Sequence, residues 1–185
     1  MKGLSILIPT FNDECFDLVS QLRQQALRLN VHFEILVGDD GSTRSEIVES
    51  NRRINAFEHC SYVIRPENSG RAVIRNVLGR MARFDWLLFV DSDMSVIRQD
   101  FLVRYINQLS TCNDVIYGGY EPTVHLADNL RSRYEDSCSD SHTAEQRSIH
   151  PYLDFHTSNF ACPATVFLQH PLDERFRSYG YEDVF

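Results

Sequence analysis

In the stretch WLLFVDSDMSV, residues 86–96, five mainly apolar residues run directly into two aspartates that are separated by one serine. A short apolar run that ends in a polar turn is typical of a buried strand. Asp91 and Asp93 then follow the carboxyl end of that strand. Two carboxylates held this close repel each other in a weakly polar setting unless a cation lies between them. A bound metal ion would be the simplest way to balance the two charges.

Similar apolar runs lie on both sides of this stretch and alternate with segments of helical periodicity. The predicted strands cover residues 4–9, 33–38, 61–64, 86–90 and 114–119. The predicted helices cover residues 16–29, 44–56, 72–79 and 99–110. Regular alternation of this kind predicts right-handed βαβ units, and hence an α/β fold with a mostly parallel sheet covered on both faces. Residues 155–168 alternate in polarity and predict one further strand.

Polar residues cluster where four of these strands end. Because ligands of parallel α/β sheets bind at the carboxyl ends of the strands, we expect the four loops to form one binding site. We call these loops together the rim; they are PTFND (9–13), DDGST (39–43), RPENSGR (65–71) and DSDM (91–94).

Composition narrows the possible classes of protein. The 185 residues suit one domain, and a net charge of −8 argues against nonspecific binding of nucleic acid. No run of about 18 apolar residues occurs, so no membrane span is predicted in this chain. The five cysteines are widely spaced, which indicates reduced thiols and a cytoplasmic protein. Neither a GxGxxG fingerprint nor a P-loop is present, so any bound phosphate needs another partner.

Each motif has a structural and a functional interpretation. Asp91 and Asp93 are either a turn or ligands for Mg²⁺ or Mn²⁺, which would keep open positions for diphosphate oxygens. Asp39 and Asp40 are equally suited to capping the next helix and to contacting a ligand. Arg71 either neutralises a phosphate or solvates its helix face, and its position at the N-terminus of the helix, facing the rim, favours the first.

The sequence also suggests roles for Arg75, His156 and Asp183. Arg75 is expected to solvate the helix face on which it lies. His156 is expected to be structural. Asp183 follows Glu182 and is either a general base for a sugar hydroxyl or part of an acidic helix start.

Taken together, the segments resemble glycosyltransferase family 2, whose members have the GT-A fold and move a sugar from a nucleotide diphosphate donor. The resemblance covers essentially the whole chain, and it is carried by SILIPTFND, EILVGDDGST, ENSGRAVIRN, LLFVDSDM and GYEDVF in this order and spacing. It implies one domain over residues 1–185, with a nucleotide-binding half (1–120) and an acceptor-side half (121–185) that includes a short antiparallel part. We expect that domain to continue beyond Phe185.

The resemblance also implies roles for individual residues. Asp93 would be the main ligand of Mn²⁺ or Mg²⁺, with Asp91 helping directly or through water. Asp183 would be the catalytic base in a transfer that inverts the anomeric centre, and Glu182 would orient the acceptor. The residues implied in nucleotide binding are Pro9, Thr10, Phe11, Asp39, Asp40, Gly70, Arg71 and Ser92.

The implied partners are a UDP-sugar by default and a glycan or lipid-linked glycan acceptor, at the inner face of a membrane. The chain departs from the family at Ile74 and Leu78, where members usually have Ala and Gly, and we expect this to alter helix packing. Two alternatives stay open. A nucleotide-sugar binding module, or an inactive fragment, would not need Asp183, and a nucleotidyltransferase would be expected to have a basic, Gly-rich loop after the first strand.

Overall fold

The computed structural model describes residues 3–109, 111, 115–120, 143–151 and 155–176. Within these ranges six strands form one sheet in the order β3-β2-β1-β4-β6-β5. The strands are β1 (Gly3–Thr10), β2 (His32–Asp39), β3 (Cys60–Ile64), β4 (Trp86–Val90), β5 (Ile116–Tyr117) and β6 (Asn159–Pro163). The helices are α1 (Phe16–Ala26), α2 (Ser45–Arg52), α3 (Arg71–Met81), α4 (Phe101–Leu109), α5 (Ala144–Arg147) and α6 (Ala164–Gln169), with a 3-10 helix at Arg53–Ala56.

The pairing of the strands confirms the predicted fold class. β1 pairs in parallel with β2 and β4, and β2 pairs in parallel with β3. β6 then runs antiparallel to β4 and β5, which gives the antiparallel part near the C-terminus. Every residue of β1 and β4 is buried, as expected of central strands whose two faces are both covered.

The two faces of the sheet carry separate hydrophobic clusters. One includes Val19 and Leu22 of α1 together with Leu102 of α4. On the other face, Phe89 of β4 packs against the rings of Phe160 and Phe167, each with a centroid separation of 4.8 Å. Aromatic pairs in such contact contribute about 0.5–1.5 kcal/mol beyond the area that they bury.

The predicted strand over residues 155–168 is correct only for Asn159–Pro163, because the chain turns there into helix α6. Pro163 has no N–H for further pairing, and the N–H of Ala164 donates to the carbonyl of Asp85 at 2.8 Å. The helix places Phe167 against Gly79 of α3, where an added Cβ would lie 2.5 Å from the ring. A side chain at position 79 would therefore crowd the ring of Phe167 at this contact between α3 and α6.

The predicted strand 114–119 is reduced to Ile116–Tyr117 in the described residues. Among the described residues, Cys15, Cys60 and Cys162 are free and buried. In the same ranges, none of the helices combines the length and the apolar character that crossing a bilayer requires.

Candidate active site

Backbone hydrogen bonds bring the loops of the rim together. The N–H of Asp40 donates to the carbonyl of Thr10 at 2.9 Å, which joins the first loop to the second. The N–H of Arg65 donates to the carbonyl of Asp39 at 2.8 Å, and the N–H of Asp91 donates to the carbonyl of Ser158 at 2.9 Å. The carboxyl ends of β1, β2, β3 and β4 and the beginning of β6 therefore meet at one edge of the sheet, as the sequence predicts.

The first loop presents one aromatic side chain to solvent. Pro9 and Thr10 are buried, whereas Phe11 is 44% exposed. Asn12 has a positive φ of 54°, and its side-chain oxygen accepts the N–H groups of Thr43 (2.8 Å) and Arg44 (3.0 Å). Asn12 thus fixes the first loop to the second, a role that sequence reasoning missed although asparagine is known to tolerate this conformation.

Asp39 is fully buried and is satisfied by the protein itself. Its carboxylate accepts the N–H of Ser42 at 2.7 Å and the hydroxyl of Tyr62. Burial raises the pKa of Tyr62, and the hydrogen bond to Asp39 raises it further. Asp39 therefore stabilises the conformation of the second loop from its buried side.

Asp40 joins the second loop to the start of α3. One carboxylate oxygen accepts the N–H groups of Ser69 (2.9 Å) and Gly70 (2.8 Å), and the other accepts the hydroxyl of Ser69 at 2.6 Å. Arg65 lies 3.7 Å from the same carboxylate. Gly70 has a φ of 98°, in the region that favours glycine, so the residue type is dictated by this turn.

Asp91 lies between two arginines of α3. Arg75 Nη2 is 2.5 Å from Oδ1, and Arg71 Nη2 is 3.3 Å from Oδ2. The prediction that Arg75 solvates a helix face is wrong, since Arg75 is only 1% exposed. Its helix is covered on that side, and the buried guanidinium finds its counter-charge in Asp91. The cation beside Asp91 in the structure is thus a pair of guanidinium groups. Burial raises the pKa of Asp91, against the opposing effects of Arg75 and then Arg71.

Asp93 has a different environment from Asp91. It is exposed and lines a cavity of about 280 Å³ together with Ser92 and three acidic residues from the end of the first loop to the start of α1, namely Asp13, Glu14 and Asp17. Asp13 Oδ2 is buried and lacks a hydrogen-bond partner within the described residues. No group of three or more His, Cys, Asp or Glu in the described part of the chain is arranged to hold a metal ion by itself.

These oxygen donors nevertheless fit a hard divalent cation that arrives with a diphosphate. Mg²⁺ is usually bound by one or two carboxylates plus substrate phosphates, and Mn²⁺ has similar preferences. Asp93, which is exposed, and Asp13, whose buried Oδ2 lacks a hydrogen-bond partner within the described residues, line the same cavity. The chemistry of the donor set therefore agrees with the metal that the sequence predicts.

A second, larger cavity of about 620 Å³ lies at the start of α3 and is bordered by residues 67–70, Val73 and 173–175. Asn76, which is 1% exposed, holds the chain segment that borders this cavity. The amide of Asn76 donates to the carbonyl of Leu172 (2.8 Å) and to Glu174 (3.0 Å), and it accepts the N–H of Leu172 (3.0 Å). Sequence reasoning missed this role of Asn76, because a buried amide and an exposed one look alike in a periodic pattern.

Two of the predicted site residues, Glu182 and Asp183, lie outside the described residues. His156 is described, and its ring lies 6.0 Å from that of Tyr117 and 6.2 Å from that of Tyr120. His156 itself is exposed, so its structural role stays a prediction.

Solved structures define the class of this fold. The chain superimposes on residues 1–349 of S. aureus TarS in complex with UDP-GlcNAc with a TM-score of 0.61 at 19% identity, over 100% of this chain and 51% of that one. It also superimposes on the mannosyltransferase PcManGT from Pyrobaculum calidifontis in complex with GDP-Man and Mn²⁺, with a TM-score of 0.63 at 15% identity, over 98% and 49% of the two chains. At these identities the likeness shows the fold alone, which is GT-A.

The chain belongs to glycosyltransferase family 2, since the family model described as glycosyl transferase family 2 matches residues 5–174. A relative described as an uncharacterized glycosyltransferase of Haemophilus influenzae is 32% identical over 110 residues, covering 58% of this chain and 42% of its own. Chondroitin synthase of Pasteurella multocida is 29% identical over 155 residues, covering 82% of this chain and 14% of its own. The chain thus spans less than half the length of these relatives.

Proposed function

We propose that this protein transfers a sugar from a nucleotide diphosphate donor to a hydroxyl group of a glycan or lipid-linked glycan, with the help of Mn²⁺ or Mg²⁺. The observation that carries the proposal is the rim, where an exposed aromatic side chain, an anchored acidic loop and the Asp91–Asp93 loop meet on one GT-A sheet edge. Family membership supports the same activity.

The donor would lie across the first three loops of the rim. Phe11 has an exposed ring that suits stacking on a base, while buried Pro9 and Thr10 set its position. Asp39 and Asp40 hold the loops beneath it, and Asp40 also fixes Gly70 at the beginning of α3. Two structural neighbours are described in complex with UDP-GlcNAc and with GDP-Man, so both nucleotides are candidates, with UDP as the default.

The diphosphate would lie beside the Asp91–Asp93 loop. Asp93 would be the main metal ligand, with Asp91 and Ser92 next to it. A divalent ion bound there would neutralise the charge that develops on the departing diphosphate. Arg71, which has a side chain 40% exposed beside Asp91, is placed to add positive charge on the same side. The neighbour described with GDP-Man also contains Mn²⁺, which supports this assignment.

Asp183 would act as the general base. It would take the proton from the acceptor hydroxyl as that oxygen forms a bond to C1 of the sugar and the bond from C1 to the diphosphate breaks. Attack from the side opposite the leaving group inverts the anomeric centre. Glu182 would orient the acceptor. The name of the chondroitin synthase relative supports a glycan as acceptor, and a protein with reduced thiols that acts on lipid-linked glycans would work in the cytoplasm at the inner face of a membrane.

The experiment measures nucleotide diphosphate released from UDP-glucose, UDP-GlcNAc and GDP-mannose in the presence of Mn²⁺ and glycan acceptors. We expect one donor to be consumed, and we expect Asp93→Asn to abolish both nucleotide binding and turnover. Asp183→Asn should abolish turnover while nucleotide binding is retained. Asp100→Asn, at a half-exposed aspartate before α4, is the matched control and should leave both unchanged. Turnover that survives Asp183→Asn would remove the general base from the mechanism.

A further inference from the structure

Arg75 has no part in the function described so far, yet it is the largest charged side chain that the structure buries completely. We propose that Arg75 is a positioning residue: it holds Asp91 in place, and through Asp91 it fixes the loop that carries Asp93 toward the metal and diphosphate. This role of Arg75 rests on the proposed function, because the residues that Arg75 would hold in place belong to the proposed metal and diphosphate site.

The guanidinium of Arg75 is fixed at two points. Its Nη2 contacts Asp91 Oδ1 at 2.5 Å, and its Nη1 donates to the carbonyl of Arg71, one helical turn earlier, at 3.2 Å. The planar fork of arginine holds these two directions rigidly, whereas a lysine ammonium on a flexible stem does not. The Nε atom is buried and has no partner within the described residues, so the polar capacity of Arg75 is directed mainly toward Asp91.

Asp91 is held on its main chain as well as on its side chain. Its N–H donates to Ser158 of the neighbouring β6 end at 2.9 Å, and its carbonyl accepts the N–H of Met94 at 3.2 Å, which closes a turn around Asp93. Both carboxylate oxygens accept from arginines. Because its backbone and both carboxylate oxygens are hydrogen-bonded, Asp91 fixes the path of the loop. Asp93, two residues later in the same loop, is exposed to solvent.

This arrangement gives Asp91 and Asp93 different roles. The charge of Asp91 is balanced inside the protein by Arg75 and Arg71, while Asp93 keeps its charge for a cation at the cavity. The two carboxylates therefore avoid mutual repulsion in two different ways. A metal ligand whose supporting residue is removed typically loses about 10–100-fold in metal affinity, even though the ligand itself remains.

The test compares Arg75→Met with Arg75→Lys, Asp91→Asn and the double variant Arg75→Met/Asp91→Asn. The measurement is the electron paramagnetic resonance signal of Mn²⁺ titrated into the protein with UDP and, separately, with GDP. Circular dichroism at the titration temperature shows which variants are folded. The matched control is Arg104→Met, which removes an arginine from an equally direct but exposed pair with Asp100 (2.7 Å) on α4.

We expect Arg75→Met to weaken binding of the Mn²⁺–nucleotide complex by about tenfold or more, and Arg75→Lys to recover part of that loss. In the Asp91→Asn background, Arg75→Met should add little further loss, because the residue acts through Asp91. Arg104→Met should bind as the wild type does. If Arg75→Met is unfolded, Arg75→Lys and Asp91→Asn carry the comparison, and each should still weaken binding.

Two results would overturn the proposal alone: wild-type binding in a folded Arg75→Met protein, or losses from Arg75→Met and Asp91→Asn that simply multiply. If Arg75→Met is unfolded, wild-type binding by both Arg75→Lys and Asp91→Asn would have the same effect. Wild-type protein that is folded and binds neither nucleotide with Mn²⁺ would overturn the proposed function, and the positioning role with it. The wild-type titration therefore separates failure of the function from failure of the inference.

Discussion

The contact between Gly79 and Phe167 predicts that Gly79→Ala destabilises the protein, and that it stabilises the protein when Phe167 is replaced by a smaller residue. A Cβ added at Gly79 would lie 2.5 Å from Phe167 Cε1 and 2.7 Å from Cδ1. Ordinary carbon contacts are about 3.5–4.0 Å, so the ring would have to move by about 1 Å. Phe167 is 5% exposed and packs against Phe89, which leaves it little room to do so.

Two opposing terms set the magnitude of the effect. Alanine is favoured over glycine inside a helix by roughly 0.5–1 kcal/mol. Overpacking a filled core typically costs about 1–3 kcal/mol, and the closeness of this contact places Gly79→Ala in the upper part of that range. The free energy of unfolding should therefore fall by about 1–2 kcal/mol in Gly79→Ala.

The same substitution should have the opposite effect when the ring is replaced by a smaller side chain. In a Phe167→Leu background, which itself costs about 1–2 kcal/mol, the helix preference should prevail and Gly79→Ala should stabilise by about 0.5 kcal/mol. Urea unfolding of the wild type, both single variants and the double variant gives all four free energies. Equal costs of Gly79→Ala in the two backgrounds, or stabilisation in the wild type, would refute the packing argument.

Three other predictions follow from buried polar and thiol groups. Asn76→Leu should lower the free energy of unfolding by about 1–3 kcal/mol, since the backbone groups of Leu172 lose their partners; unchanged urea unfolding would contradict this. Burial, with a smaller effect of Asp13, raises the pKa of the Cys15 thiol to about 12. This thiol should therefore resist alkylation by iodoacetamide at pH 8 in the native protein and react in urea. Mass spectrometry of the peptide that contains Cys15 measures the extent of alkylation. Tyr62 has a raised pKa in the folded state, so the unfolded state ionises first and the free energy of unfolding should fall as pH rises above about 10. Tyr62→Phe should make this fall with pH less steep. An unchanged dependence on pH would count against the burial argument.

The sequence predicts the sheet well because its central strands are short apolar runs with polar ends. β4 is a continuous apolar segment, and β1 is mainly apolar, with Ser5 and Thr10 as its polar residues. The loops of the rim follow from topology alone, since parallel strands end at the same edge. The antiparallel part was expected from the family resemblance, and β6 confirms it.

The errors concern residues whose role depends on what packs above them. Arg75 and Asn76 share a helix face that looks polar in the sequence, yet both are buried because Asp91 and Leu172 reach them from distant segments. A periodic pattern cannot distinguish a solvated polar face from one that is satisfied by long-range partners. The turn after Pro163 was missed for a related reason, because the N–H of Ala164 finds its acceptor in Asp85, which is distant in the sequence.

The central claim is that the rim binds a nucleotide diphosphate through a divalent metal ion. The most direct test is calorimetric titration of this 185-residue protein with UDP and with GDP, first with Mn²⁺ and then with excess EDTA. The account predicts that one nucleotide binds with Mn²⁺ and that this binding is lost in EDTA. Equal binding with and without metal would contradict the role given to Asp93, and no binding of either nucleotide to the folded protein would contradict the claim itself.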